Sequence, residues 1–191
     1  LVSGGAFHAG GAGFDMFVAR IDPDGSLDAS FGTNASGFAI VDFDRGSTLN
    51  DLAHAIDVDA QGRIVIAGQV NIDSPVEGYD MGAARLTSAG VLDSTFGASG
   101  RVVLSDAVTT AFSRNARDVV ILEDGRMLIS GFTEVETTTS TAIMLRDNGM
   151  LDTGFGSGGV LLQAPPGSPR DTVVSAKPHT AVLAGDHFYF I

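Results

Sequence analysis

The chain has 191 residues, with 23 acidic against 11 basic side chains, a formal net charge of −12, 44% hydrophobic residues and no cysteine. That charge balance excludes nucleic acid and anionic membrane surfaces as partners. The absence of cysteine excludes disulfides, thiolate zinc sites and cysteine nucleophiles, and leaves the redox compartment open. The apolar content is too high for a disordered chain, and no run of about eighteen apolar residues marks a membrane span. Asp outnumbers Glu by 19 to 4, mostly beside Gly, Pro or Asn, so turn chemistry accounts for much of the acidity.

In chain order, Leu1–Gly5 reads as the end of a strand, which makes the chain one that begins inside a repeat. A glycine-rich loop from His8 to Gly13 leads to a strand at Met16–Ile21, a turn over 22–32 and a strand at Gly37–Phe43. Ala53–Val58 and Arg63–Gly68 pair as a hairpin around Gln61-Gly62, and a polar loop over 69–80 precedes strands at Met81–Leu86 and Arg101–Leu104. The same order returns with Arg117–Leu122, Arg126–Gly131, a threonine-rich loop at Thr137–Thr141, Ala142–Leu145 and Gly159–Leu162. After a proline-rich loop come Asp171–Ser175 and Thr180–Gly185.

One pattern, G-x-L-D-x-x-F-G, punctuates this order three times. It runs Gly25 to Gly32, Gly90 to Gly97 and Gly149 to Gly156, recurring after 65 and then 59 residues. Its residue types have a shared physical logic. The leading Gly closes a turn, and Asp28, Asp93 or Asp152 accepts a backbone N–H two or three residues on. Leu27 and Phe31, Leu92 and Phe96, Leu151 and Phe155 are four apart, which predicts that each pair points the same way into a core. The final Gly32, Gly97 or Gly156 leaves the turn in a left-handed conformation. The motif reads as a structural clasp whose polar groups serve the local backbone.

No segment sustains helical periodicity beyond about ten residues. Four strands in about 60 residues, repeated, is the sequence form of a β-propeller blade. A β-sandwich would not require the clasp at a fixed place in every unit, and parallel β-helices repeat at shorter periods of about 20 to 30 residues. The fold class expected is all-β, with propeller blades of four antiparallel strands. A partial first blade spans 1–52, a second 53–115, a third 116–170 and a partial fourth 171–191, about 3.25 blades and thirteen strands. Propellers close with about four to eight blades, so closure calls for more chain or for another copy, and bare edges would aggregate.

The three clasps, the A-R-[IL] strand (Ala19-Arg20-Ile21, Ala84-Arg85-Leu86) and the G-R-[MI] hairpin ending in [AS]-G together resemble the delta-60 repeat family. Met144 stands where Arg20 and Arg85 do, and His179 where Gly62 and Gly125 do. The resemblance implies β-propeller blades in secreted or surface proteins of bacteria, and it implies no agreed activity.

Other candidate sites are weaker. Asp22-x-Asp24-x-Ser26 resembles the start of a calcium loop, but the same turn in the second unit is Thr87-Ser88-Ala89-Gly90, without a carboxylate, so a plain turn is the better reading. Gly154-Phe-Gly156-Ser-Gly158-Gly159 fits G-x-G-x-x-G without a helix to open, and Asn34-Ala35-Ser36 is a glycosylation sequon expected to be empty. None of His8, His54, His179 and His187 shows a metal-ligand spacing. His54, Arg117 and Asp171 hold equivalent places at the start of each innermost strand, which puts them at the mouth of a propeller channel. They are the binding candidates, although a plain solvated strand end is the better reading of them.

The function expected is a non-enzymatic structural or protein-interaction module, without cofactor or metal, of an extracellular or cell-surface protein. Its expected partners are other chains or further blades that close the propeller, in a homo-oligomer or larger, filament-forming assembly. The alternative is a sugar-binding or hydrolytic propeller with its site at the channel mouth.

Overall fold

The computed structural model describes residues 1–7, 13–43, 50–71, 78–104, 113–134, 138–163, 181–184 and 187–190. Among them are thirteen strands, one short 3-10 turn at Thr33–Ala35 and no α-helix. The first unit is a three-stranded antiparallel sheet of β1 (Val2–Phe7), β2 (Phe14–Ala19) and β3 (Phe38–Val41). The second is a four-stranded meander of β4 (Leu52–Val58), β5 (Ile64–Asn71), β6 (Tyr79–Leu86) and β7 (Arg101–Val103). The third repeats it with β8 (Ser113–Ile121), β9 (Met127–Glu134), β10 (Thr138–Leu145) and β11 (Val160–Gln163). A hairpin of β12 (Ala181–Ala184) and β13 (His187–Phe190) follows, and β12 packs on β8.

Each sheet is open, and the sheets stack face to face. A single parallel bridge, Tyr79 to Ser113, marks where the second and third touch at strand ends. Side chains alternate across a strand, so one strand feeds two interfaces. Ile64 and Ile66 of β5 join Met16, Val18, Phe31 and Val41 between the first and second units. Val65 and Ala67 of the same strand join Met127, Ile129, Ile143 and Leu145 between the second and third. Burial on both faces explains why β5 reads Ile-Val-Ile-Ala-Gly-Gln-Val without polar alternation. The far face of the third unit holds a smaller cluster of Leu128, Ala142 and Met144.

Two expectations are corrected. Thr138–Thr141 belong to β10 and pair with Gly131, Phe132, Thr133 and Glu134, rather than forming a loop, because β-branched threonines suit a strand as well as a turn. His187–Phe190 is also a strand that the repeat pattern did not anticipate. The expected strand at Asp171–Ser175 lies outside the described residues, as do the glycine-rich and proline-rich loops.

Candidate functional site

The clasp works differently from its sequence reading. Its local part is as expected: Asp28 Oδ1 accepts from the Ser30 N–H at 2.8 Å and from the Ser30 hydroxyl at 2.6 Å, and Asp93 does the same with Thr95. Gly32, Gly97 and Gly156 have φ of 79°, 51° and 55°. The apolar pair, however, does not point one way. Phe31 and Phe96 are fully buried in the interface with the following unit, whereas Leu92 and Leu151 pack into the interface with the preceding one. Four residues of an irregular turn do not carry the helical geometry that would bring both side chains to one face. Leu27, the matching side chain of the first clasp, is 50% exposed.

The polar groups also reach across the interface. The Gly32 N–H donates to the Ala89 carbonyl at 2.9 Å, and the Gly97 N–H to the Asn148 carbonyl at 2.9 Å, so each clasp ends on the turn of the next unit. Gly90 is required at that contact: a Cβ there would stand 2.7 Å from Gly32 N and 2.8 Å from the Phe31 ring.

An arginine completes each joint. Arg20 donates to Asp28 Oδ2 at 2.6 Å, to the Ser30 hydroxyl and to the Ser88 carbonyl of the second unit, with its guanidinium 4.8 Å from the centre of the Phe31 ring. Arg85 repeats every contact with Asp93, Thr95, the Asp147 carbonyl and Phe96. The cation over the ring and the charge-assisted hydrogen bonds reinforce one another. The hydrogen bonds of Ser30, and then of Arg20, hold the Asp28 carboxyl below its ordinary value.

The third unit departs where Met144 replaces the arginine. Met144 is buried with Leu128, and Asp152 is served by Arg126 at 3.2 Å and Arg146 at 3.8 Å from its own unit.

The inner rim holds two of the three binding candidates. The ladder between β4 and β5 skips His54, pairing Ala53 with Gly68 and Ala55 with Ala67. The ladder between β8 and β9 skips Arg117 in the same way, pairing Ala116 with Gly131 and Asp118 with Ser130. Both residues therefore sit on β-bulges, which re-aim a side chain out of the ladder. The bulge brings the backbones together: a Cβ on Gly68 or Gly131 would lie 1.9 Å from the carbonyl oxygen of Leu52 or Asn115. Each bulged residue rests on the side chain fifteen positions later. His54 Nε2 lies 3.2 Å from Gln69 Oε1, and the Arg117 guanidinium lies 5.3 Å from the centre of the Phe132 ring.

The structure brings His54 and Arg117 near each other on adjacent inner strands. Burial lowers the His54 pKa from its ordinary value, the Gln69 hydrogen bond opposes that, and the Arg117 charge lowers it further. Asp171 lies outside the described residues, as do His8 and His179.

Among the weaker candidates, the Asp24 carboxylate is taken by the N–H and hydroxyl of Ser26, and Asp22 closes the same turn through backbone bonds to Ser26 and Gly25. The Gly154–Gly159 segment ends the third clasp and enters β11, and Asn34 is exposed in the short turn.

Sequence reasoning missed a carboxylate cluster. Oxygens of Asp15, Asp42 and Asp51 lie within 4.8 Å of one another at the joint of the first two units. Asp51 is buried, accepts from the Asn71 and Phe43 N–H groups, and has its pKa pushed up to about 6 by burial and by the Asp15 and Asp42 charges. Three carboxylates are the ligand type that a hard cation takes. At the repeat-equivalent place in the next joint, Asp80 pairs with Arg114 at 2.5 Å. The signal was available in register: Asp51 stands three residues before His54, as Arg114 stands before Arg117.

A family model described as a β-propeller domain of unknown function (DUF5122) matches residues 1–31 and 61–96. The chain is built of β-propeller blades. Each matched segment runs from a blade's second strand to its clasp Phe, so it covers the same structural stretch twice. The match stops short of the third unit, the one with Met144. No curated protein matches the chain.

Proposed function

We propose that this chain is a non-catalytic structural or interaction module of the delta-60 type in a secreted or cell-surface bacterial protein. The face of its first unit receives another blade of the same repeat, from the same polypeptide or from a second copy, in a closed ring or a filament. The observation that carries this reading is an unfilled half-joint. Gly90 and Gly149 are each covered by the Phe and Gly of the unit before, and Leu92 and Leu151 pack into the same interfaces. Gly25-Ser26-Leu27 presents the same half with nothing within 4 Å of a Cβ on Gly25. Ile21, which bridges to Leu27, is exposed too, as are Leu1, Phe38 and Ile40 of the same unit, and exposed apolar side chains of this kind form interaction surfaces.

A structural role is supported further by what the clasp side chains do. Asp28, Asp93, Arg20 and Arg85 are committed to holding units together, and the His54 ring meets a glutamine amide rather than a nucleophile. The test is light scattering over a concentration series on the wild-type chain and on Leu27→Asp with Phe38→Asp. Association of the wild type that the double variant loses is expected. A wild-type chain that stays monomeric at every concentration overturns association through this face. The rival reading, a ligand site at the channel mouth, draws on the inner rim.

A further inference from the structure

We propose that Arg117, with His54 beside it on the neighbouring inner strand, forms an oxyanion-binding site at the inner rim. The ligand group is a carboxylate, sulfate or phosphate on a small molecule. The site goes beyond the assembly reading and stands whether or not the first unit's face is filled.

The first support is the state of Arg117. In a chain with 23 acidic side chains, Arg20, Arg63, Arg85, Arg114, Arg126 and Arg146 each hold a carboxylate. Arg117 has no ion pair among the described residues, and its buried Nε meets no acceptor. A guanidinium stacked on an aromatic ring, with no carboxylate on it among the described residues, is pre-organised for an anion, because its planar donor fork is held in place before the ligand arrives.

The second support is construction. A bulge interrupts the innermost ladder at the same repeat position in both complete units, and each time it lifts out a nitrogen-bearing side chain. A strand end that merely needed solvating would require no bulge, and no glycine opposite it to make room.

His54 adds a pH-dependent second charge. Gln69 on β5 and Arg117 on β8 are the groups that act on it. The nearby carboxylates are turned elsewhere: Asp57 accepts from the Val58 and Ile121 N–H groups, and Asp118 accepts from the Val119 N–H. Asp51 lies three residues earlier on β4 and also gains a proton in acid, so a His54→Gln variant is needed to separate the two.

The probe is sodium sulfate, a dianion across the useful pH range, followed through the Arg117 Nε–H resonance in the full chain against sodium chloride at matched ionic strength. A saturable shift with sulfate alone is expected, with affinity rising severalfold as His54 becomes protonated. Sodium acetate in place of sulfate reads whether a planar carboxylate or a tetrahedral anion is preferred, and saturation by either supports the site. Arg117→Gln weakens binding by at least about tenfold, the scale of one charge-assisted contact, while Arg117→Lys restores part of it. His54→Gln keeps binding near neutral pH but flattens the rise in acid. Equal, unsaturating shifts with sulfate, acetate and chloride overturn the proposal, and so does a folded Arg117→Gln chain that binds as the wild type does.

Discussion

The joint between the first and second units and the joint between the second and third use one set of parts. The same clasp Phe is buried, the same glycine N–H crosses, and the same arginine spans Asp, hydroxyl, ring and foreign carbonyl. Their electrostatics differ. Arg20 keeps 32% of its side chain exposed and finds only a carbonyl in the next unit, at Ser88. Arg85 is 1% exposed and meets Asp147, which also receives Arg63 at 2.7 Å. Deeper in, the second joint pairs Asp80 with Arg114, where the first gathers three carboxylates. A repeated motif thus sets the geometry of a joint, and the residues outside the motif set its strength.

Predictions follow from breaking one joint against the other, measured as unfolding free energy in denaturant. Phe96→Ala removes a fully buried ring and the surface beneath Arg85, and should cost about 3 to 5 kcal/mol. Phe155→Ala, at the half-buried third clasp, should cost about half as much. Arg85→Met copies the third unit but strands Asp93 in a joint built around a cation, and should cost about 3 kcal/mol. Arg20→Met at the more exposed joint should cost less than about 1 kcal/mol. Equal costs would show that burial does not govern the contribution of the arginine.

Glycines give a finer contrast. Gly25 and Gly149 have φ of 90° and 82°, so alanine is strained at both by about 1 to 2 kcal/mol. Only at Gly149 does the added Cβ also collide, 2.9 Å from Gly97 N, so Gly149→Ala should exceed Gly25→Ala by about 1 to 3 kcal/mol.

Asp51 predicts a pH signature confined to the first joint. Its folded pKa of about 6 lies above its unfolded value of about 4. The folded state therefore binds the proton more tightly, and stability from this group is present in acid and lost as pH rises through 6. Asp51→Asn should flatten that fall, with a larger gain in melting temperature at pH 7.5 than at pH 5. The smallest effect is expected of Leu27→Ser, within about 0.5 kcal/mol for an exposed position, against a clear loss for Leu151→Ser at a covered one.

Much of this architecture was legible because the repeat compares the chain with itself. Strand order, the hairpin turns and the place of the clasp all recur at fixed offsets, and the continuous apolar residues in β5 mark its two-sided burial. The direction of Leu27 and Phe31 was not legible, since four-residue spacing decides a face only inside a regular helix. Nor was the cross-unit role of Arg20 and Gly32, whose partners lie in the next unit at positions recognised only once the two are superimposed. The bulges at His54 and Arg117 escaped for a related reason. A glycine opposite a bulge looks in sequence like any glycine in a strand, and only the ladder register shows what it makes room for. Asp15, Asp42 and Asp51 come from separate segments, so no local pattern announced them.

Native-state hydrogen exchange at the Gly32 and Gly97 amides tests the central claim of face-to-face joints most directly. If each N–H crosses to the next unit's turn, both should exchange as slowly as the central amides of β5 and β6, with Gly97 the slower of the two. Exchange of both at the rate of an exposed loop, while those strand amides stay protected, would contradict it.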